Sequence, residues 1–129
     1  MRLLLDTQCL IWYVDQDYLL TATAHAAITS SANQLYLSAA TIWEIAIKVG
    51  IGKLPLSLPY RVWVEKAIAD LGLLILPITV EYADRQASLP PYHRDPFDRL
   101  LAAQSLAEAM PLVSADAAFD RYGVSRVWA

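Results

Sequence analysis

The chain has 129 residues, of which 57% are hydrophobic and 10% aromatic, and this composition excludes intrinsic disorder and predicts a single globular domain over residues 1–129. Its formal net charge of −3 gives no overall attraction to nucleic acid, although it does not exclude an enzyme that holds phosphates through bound cations. The one cysteine excludes an intramolecular disulfide. No apolar run is long enough to span a membrane, and the N-terminus does not resemble a signal peptide, so we expect a cytoplasmic protein.

The first half of the chain predicts two strands and four helices. A helix is expected over 7–14, a second in the Ala-rich stretch 18–33, where Thr21 or Thr23 could cap its start, and a third over 39–49. Gly50 and Gly52 end the third helix, and Gly72 ends a fourth over 60–71. The apolar runs at 3–5 and 35–37 predict strands.

The second half continues the alternation of strands and helices. Strands are predicted over 73–76, 112–113 and, as a closing edge strand, 124–128, and helices over 80–88, 96–109 and 115–122. Asp95 and Pro96 have the pattern of an N-cap followed by the first helical residue. Together these elements predict an α/β fold, a three-layer α/β/α sandwich around a mainly parallel sheet of about five strands.

Asp6 stands at the end of the first predicted strand. Leu3, Leu4 and Leu5 form an unbroken apolar run, which is typical of a strand buried on both faces of a parallel sheet. The carboxyl ends of such strands hold the ligand sites of open α/β sheets. Asp6 could equally well only cap the helix that follows, and this residue alone leaves both roles open.

Three further acids each have an ordinary structural explanation. Glu44 could complete a capping box with Thr41 or pair with Lys48 one turn later, and on local grounds these roles are favoured. Asp98 lies in the first turn of a helix, where the helix dipole stabilises an acid. Asp116 could cap the short helix that follows it.

Taken together, the four acids are harder to explain by local structure. In a parallel sheet, the positions that follow strands converge on one edge, so Asp6, Glu44, Asp98 and Asp116 are expected to lie close together. Clustered carboxylates repel one another and need protons or cations. Oxygen ligands of this kind suit Mg²⁺ or Mn²⁺, whereas zinc favours His and Cys.

Four segments in the expected order resemble the motifs of PIN-domain ribonucleases, specifically the VapC-type toxins of type II toxin–antitoxin systems. Leu-Leu-Leu-Asp-Thr at 3–7 looks like the opening of a PIN domain. Ser-Ala-Ala-Thr-Ile-Trp-Glu-Ile-Ala-Ile-Lys at 38–48 resembles the second acidic motif. His-Arg-Asp-Pro-Phe-Asp-Arg-Leu-Leu-Ala-Ala-Gln at 93–104 is similar to the third, and Leu-Val-Ser-Ala-Asp at 112–116 to the fourth.

The resemblance implies a Mg²⁺- or Mn²⁺-dependent endoribonuclease with RNA as its substrate. It maps the catalytic and metal-binding residues onto Asp6, Glu44, Asp98 and Asp116, with one or two metal ions. It also implies a homodimer that is held inactive by a cognate antitoxin protein. Ser114 stands where Thr is frequent in the family, and the hydroxyl group is retained.

This sequence lacks residues that three other classes of α/β protein require. A receiver domain needs an acidic pair at the end of the first strand, a haloacid-dehalogenase-like phosphatase needs Asp where Gln8 stands, and a P-loop enzyme needs a Gly-rich Lys-Ser/Thr loop. The alternative that stays open is a catalytically inactive PIN-like domain that serves as a protein-interaction module. The presence of all four acids weighs against it.

Three other side chains invite a functional role. His93 is interpreted as a solvated loop histidine and Cys9 as a packing residue. The helix over 60–71 carries more apolar side chains than one core-facing stripe requires, including Trp63. One hypothesis is that Trp63 lines a groove for an antitoxin segment, and an ordinary core position is the alternative.

Overall fold

The centre of the molecule is a five-stranded sheet in which every neighbouring pair of strands is parallel. The computed structural model describes all 129 residues. The strands are β1 (Arg2–Leu5), β2 (Gln34–Ser38), β3 (Leu74–Leu76), β4 (Leu112–Val113) and β5 (Arg126–Val127), in the spatial order β3-β2-β1-β4-β5. The predicted sheet is therefore confirmed, with the last strand at an edge.

Six α-helices and one 3₁₀ helix connect the strands. They are α1 (Thr7–Val14), α2 (Ala22–Thr29), α3 (Ala39–Gly50), α4 (Tyr60–Leu71), α5 (Val80–Ser88), α6 (Pro96–Glu108) and the 3₁₀ helix Ala117–Tyr122. Their ends follow from local chemistry. The hydroxyl of Thr21 accepts a hydrogen bond from the backbone N–H of Ala24 (3.1 Å), and Gly72 ends α4 with a φ of 59°, a conformation that favours glycine. No helix is long and apolar enough to cross a lipid bilayer.

Helices cover both faces of the sheet, which explains why β1 is apolar at every buried position. Successive side chains of a strand point to opposite faces. Leu3 and Leu5 belong to a core with residues of α1, α2 and α4, whereas Leu4 packs with residues of α6 and the 3₁₀ helix. The three-layer α/β/α architecture is confirmed.

The strand order places a crevice at the carboxyl end of β1. β1 pairs with β2 on one side and with β4 on the other, so the chain leaves neighbouring strands in opposite directions. At such a point the connecting segments separate, and open α/β sheets bind ligands there. Asp6, which directly follows β1, lies at this position.

Trp63 is a core residue, so the hypothesis that it lines an antitoxin groove is wrong. Its side chain is 0% exposed, and its indole N–H donates a hydrogen bond to Asp15 Oδ1 (2.9 Å). A buried indole needs such an acceptor, and Asp15 supplies it from the end of α1. The apolar residues that α4 does bury, Trp63, Val64 and Ala67, lie on one side of the helix.

Candidate metal centre

A cavity of about 580 Å³ opens at the carboxyl ends of the central strands and is lined by acids from four parts of the chain. The carboxylates on its wall are Asp6, Glu44, Asp95, Asp98 and Asp116. The cations on its wall are Lys48 and Lys53. All four predicted site residues therefore meet at one cavity, although they are up to 110 positions apart in the sequence, from residue 6 to residue 116.

Asp6 is buried and does not act as a helix cap. It occupies the N-cap position of α1, but its side chain makes no capping hydrogen bond. Instead, the hydroxyl of Ser114 donates a hydrogen bond to Asp6 Oδ2 (2.6 Å). Burial raises the pKa of Asp6, repulsion from Glu44 and Asp116 adds to this effect, and the hydrogen bond from Ser114 opposes it. The capping interpretation of Asp6 is wrong, because its side chain makes no capping hydrogen bond to the first turn of α1 and is held by Ser114, which directly follows β4.

Glu44 is buried on α3 and held by two neighbours. Thr7 Oγ1 donates a hydrogen bond to Oε1 (2.7 Å), and Lys48 Nζ pairs with Oε2 (2.7 Å). The predicted ion pair with Lys48 is confirmed. The predicted capping box with Thr41 is wrong, because Ser38 is the N-cap residue of α3. Burial lowers the pKa of Lys48, but its hydrogen bond to Glu44 and the attraction of that carboxylate reverse the sign, so the pKa is raised.

Asp98 carries the clearest electrostatic signature of the cavity. Burial, followed by repulsion from Asp6 and Asp95, raises the pKa of Asp98 to about 7. Asp95 is confirmed as the N-cap of α6, since its Oδ1 accepts a hydrogen bond from the backbone N–H of Phe97 (2.8 Å).

Asp116 caps the 3₁₀ helix, as predicted, and also contacts His93. Its Oδ1 accepts a hydrogen bond from the backbone N–H of Ala118 (2.9 Å), and its Oδ2 lies 2.7 Å from His93 Nε2. The interpretation of His93 as a solvated loop residue is wrong, because His93 is only 9% exposed, stacks on the ring of Tyr122 and packs against the tilted ring of Phe119. No local pattern in the Pro-rich loop signals these contacts, since they form between segments more than 20 positions apart.

The residues present fit a divalent cation. His93, Asp98 and Asp116 can each offer one ligand atom, and these atoms lie within 4.8 Å of one another. Five carboxylates face two lysines in the cavity, and repulsion from neighbouring acids adds to burial in raising the pKa of Asp98. Predominantly oxygen donors are typical of sites for Mg²⁺ or Mn²⁺.

Comparisons with known proteins agree with this fold. The model of the PIN domain family matches residues 3–125. No curated protein sequence matches the chain significantly. Three solved structures are similar to it, and each match covers 98% of this chain. VapBC2 from Rickettsia felis bound to a promoter DNA fragment is 15% identical, with 97% of that chain covered and a TM-score of 0.70. FitAB bound to an IR36 DNA fragment is 25% identical (93% of that chain covered, TM-score 0.63), and FitAcB from Neisseria gonorrhoeae is 24% identical (96% of that chain covered, TM-score 0.66).

Proposed function

Because this chain belongs to the PIN-domain family, we propose that it is a divalent-metal-dependent endoribonuclease and acts as the toxin of a toxin–antitoxin pair. The observation that carries the proposal is the convergence of Asp6, Glu44, Asp98 and Asp116 on one cavity. Carboxylates held this close disfavour one another's ionisation, so their placement is poorly explained by a purely structural role.

The four acids are the residues that would hold Mg²⁺ or Mn²⁺. When bound, such an ion supplies positive charge that stabilises the charge developing on a phosphodiester and makes an attacking water more acidic.

The side chains around the acids fix their positions. Ser114, which directly follows β4, holds Asp6, while Thr7 and Lys48 each hold one oxygen of Glu44. Lys53, which makes no ion pair, adds positive charge at the wall of the cavity. Because RNA phosphates would be repelled by the acids, we assign Lys48 and Lys53 the role of contacting the phosphate backbone of the substrate.

A cognate antitoxin is part of the same proposal. VapBC2 and FitAB are toxin–antitoxin complexes, and the chain covers 97% and 93% of the matched chain in each. Trp43 and Ile47 of α3, together with Ile51 directly after the helix, form an exposed apolar stripe at a spacing of four residues. This stripe is on the helix that carries Glu44 and Lys48, so an apolar antitoxin segment docked on it would reach the acidic cavity with a basic side chain.

The experiment that tests the function is cleavage of total RNA by the purified protein, with and without Mg²⁺ or Mn²⁺. We expect metal-dependent cleavage, and we expect Asp6→Asn, Glu44→Gln and Asp98→Asn each to abolish it while the protein stays folded. The matched control is Asp84→Asn, which removes an exposed acid of α5 that makes no ion pair. Near-wild-type cleavage by a folded Asp98→Asn protein would remove Asp98 from the site. Absence of cleavage by the wild-type protein under every metal condition would favour a non-catalytic interaction module.

A further inference from the structure

His93 lies between Asp116 and Tyr122 at the edge of the acidic cavity, and the mechanism above uses neither His93 nor Tyr122. We propose that Tyr122 and His93 form a positioning pair, in which Tyr122 fixes the imidazole of His93 and His93 fixes the carboxylate of Asp116. The role assigned to this pair rests on the proposed metal site, because Asp116 is one of its acids.

Each of the three nitrogen atoms of His93 has a polar partner within hydrogen-bonding distance. His93 Nε2 lies 2.7 Å from Asp116 Oδ2, and His93 Nδ1 lies 3.1 Å from the hydroxyl oxygen of Tyr122. The backbone N–H of His93 donates a hydrogen bond to the same hydroxyl (3.0 Å). The two rings are stacked with an interplanar angle of 10°, and the ring of Phe119 lies 4.6 Å from the imidazole between centroids. The imidazole of His93 is shielded from solvent, whereas the Asp116 side chain that it contacts is 42% exposed.

The contacts determine where the protons are. An ionised carboxylate only accepts hydrogen bonds, so His93 Nε2 must carry the proton that Asp116 accepts. In a neutral imidazole, Nδ1 then lacks a proton and accepts one hydrogen bond, which the hydroxyl of Tyr122 donates. The oxygen of Tyr122 remains free to accept from the backbone N–H of His93. Every polar atom of the chain Tyr122–His93–Asp116 thus has a complementary partner.

The consequence falls on Asp116. Its Oδ1 is held by the backbone N–H of Ala118, and its Oδ2 by His93, so the carboxylate has one orientation at the cavity wall. Groups that hold a ligating carboxylate in this way commonly set metal affinity, and their loss costs about 10- to 100-fold. The rival role for His93 is direct ligation, because its ring lies close enough to Asp98 and Asp116 to share an ion with them. Ligation through Nε2 requires that atom to be free of a proton, which is the opposite tautomer.

The tautomer can be measured by NMR without any metal or activity. In metal-free protein labelled with ¹⁵N-histidine, two-bond ¹H–¹⁵N correlations at pH 8 should show His93 as the Nε2–H tautomer, with the exposed His25 as the reference signal. On titration with diamagnetic Mg²⁺, the Nε2–H signature should persist. An Nδ1–H tautomer in the metal-free protein, or a switch to it on addition of Mg²⁺, would overturn the positioning role.

Metal affinity supplies the second readout. Calorimetric titration with Mn²⁺ should show a loss of about 10- to 100-fold for His93→Ala, partial rescue in His93→Gln, whose amide can still donate to Asp116, and a smaller loss in Tyr122→Phe. The matched control is Tyr92→Phe, because the ring of Tyr92 packs against Tyr122 at 5.0 Å but its hydroxyl makes no hydrogen bond within the protein. If Tyr122→Phe is folded and binds Mn²⁺ as tightly as Tyr92→Phe, the inference is wrong.

These outcomes are separable from the fate of the proposed function. A protein that binds Mn²⁺ and shows the expected tautomer, but cleaves no RNA, would refute the endoribonuclease and leave the positioning pair standing. A protein that cleaves RNA with unchanged Mn²⁺ affinity in Tyr122→Phe would refute the pair alone.

Discussion

At Asp98, burial and the negative charge of the cavity together favour the protonated form of the carboxyl group. Its pKa is about 7, because burial and then the charges of Asp6 and Asp95 disfavour the ionised form, whereas the ordinary value is 3.8. When the folded-state pKa of an acid exceeds its unfolded-state value, the protonated acid stabilises the fold. That stabilisation is fully present below about pH 4 and is lost as pH rises through about 7. The metal-free protein therefore loses stability between about pH 4 and 7, whereas a salt-bridged Asp, whose folded-state pKa is lowered, contributes its full stabilisation in that range.

The first consequence is a pH-dependent difference between the wild type and Asp98→Asn. Because Asn cannot ionise, the variant should become progressively more stable relative to the wild type as pH rises from 4 to 8 in the presence of EDTA. Urea unfolding at pH 4.5, 6 and 8 measures this difference, and Asp84→Asn should show none that changes with pH. A difference that stays constant across the range would mean that Asp98 acts only through the helix dipole in the first turn of α6.

A bound cation should favour the ionised form of Asp98 and so stabilise the folded protein. For the wild type, Mn²⁺ at a hundred times its dissociation constant should add about 2.7 kcal/mol to the free energy of unfolding. Asp98→Asn should lose most of the rise in melting temperature, since a neutral amide would replace one negatively charged carboxylate ligand. Thermal melts of both proteins with EDTA and with Mn²⁺ make the comparison. Equal metal-induced shifts in the two proteins would place the ion outside this cavity.

At the residue scale, the sequence predicted contacts within one helical turn and missed those between segments. The pair Glu44–Lys48 and the cap at Asp95 follow from spacings of four and two residues. The hydrogen bond from Thr7 to Glu44 and the contact of His93 with Asp116 depend on how helices and loops pack, and no local spacing encodes them. The gathering of the acids was predicted from strand ends, which is a property of the sheet.

At the scale of elements, Asp15 connects three segments of the fold. Its Oδ1 accepts hydrogen bonds from the hydroxyl of Ser57 (2.6 Å) and from the indole of Trp63 (2.9 Å), so one carboxylate at the end of α1 holds both the 53–59 connection and α4. Helix ends were predictable because Thr21, Gly72 and Asp95 mark them locally. The environment of Trp63 was not predictable from local sequence, because its indole N–H bonds to a residue 48 positions away.

Removal of this connection should destabilise the protein measurably. Hydrogen bonds to a charged group contribute about 1.5–3 kcal/mol, so we expect Asp15→Ala to lower the free energy of unfolding by about 2 kcal/mol. The control is Asp70→Ala, which removes an exposed carboxylate whose partner is Lys66 one turn earlier, and it should cost less than about 1 kcal/mol. Urea unfolding of both variants measures the difference. Equal losses would show that Asp15 contributes no more than a surface ion pair.

At the scale of the whole molecule, the fold class followed from the alternation of strands and helices, whereas the strand order did not. The order leaves β3 at one edge of the sheet, where a row of backbone groups is unpaired. Four apolar residues in this part of the chain are exposed: Leu74 and Ile75 of β3, Ile78 in the following connection and Val80 of α5. Monomeric soluble proteins rarely leave such patches uncovered. The family resemblance implies a homodimer, and we propose that the second copy binds at the β3–α5 surface, which is defined by these four residues.

The dimer can be tested at Val80, because that side chain is 88% exposed and its replacement leaves the core intact. Light scattering coupled to size exclusion should give twice the 14.3 kDa mass for the wild type and the single mass for Val80→Arg, since an arginine facing its symmetry mate adds repulsion to lost apolar contact. Tyr18→Arg is the matched control, because Tyr18 is 92% exposed on the connection between α1 and α2, away from this surface, and it should stay dimeric. Circular dichroism should show both variants folded. If Val80→Arg remains dimeric while folded, the second copy binds elsewhere, and the exposed stripe on α3 becomes the surface to test next.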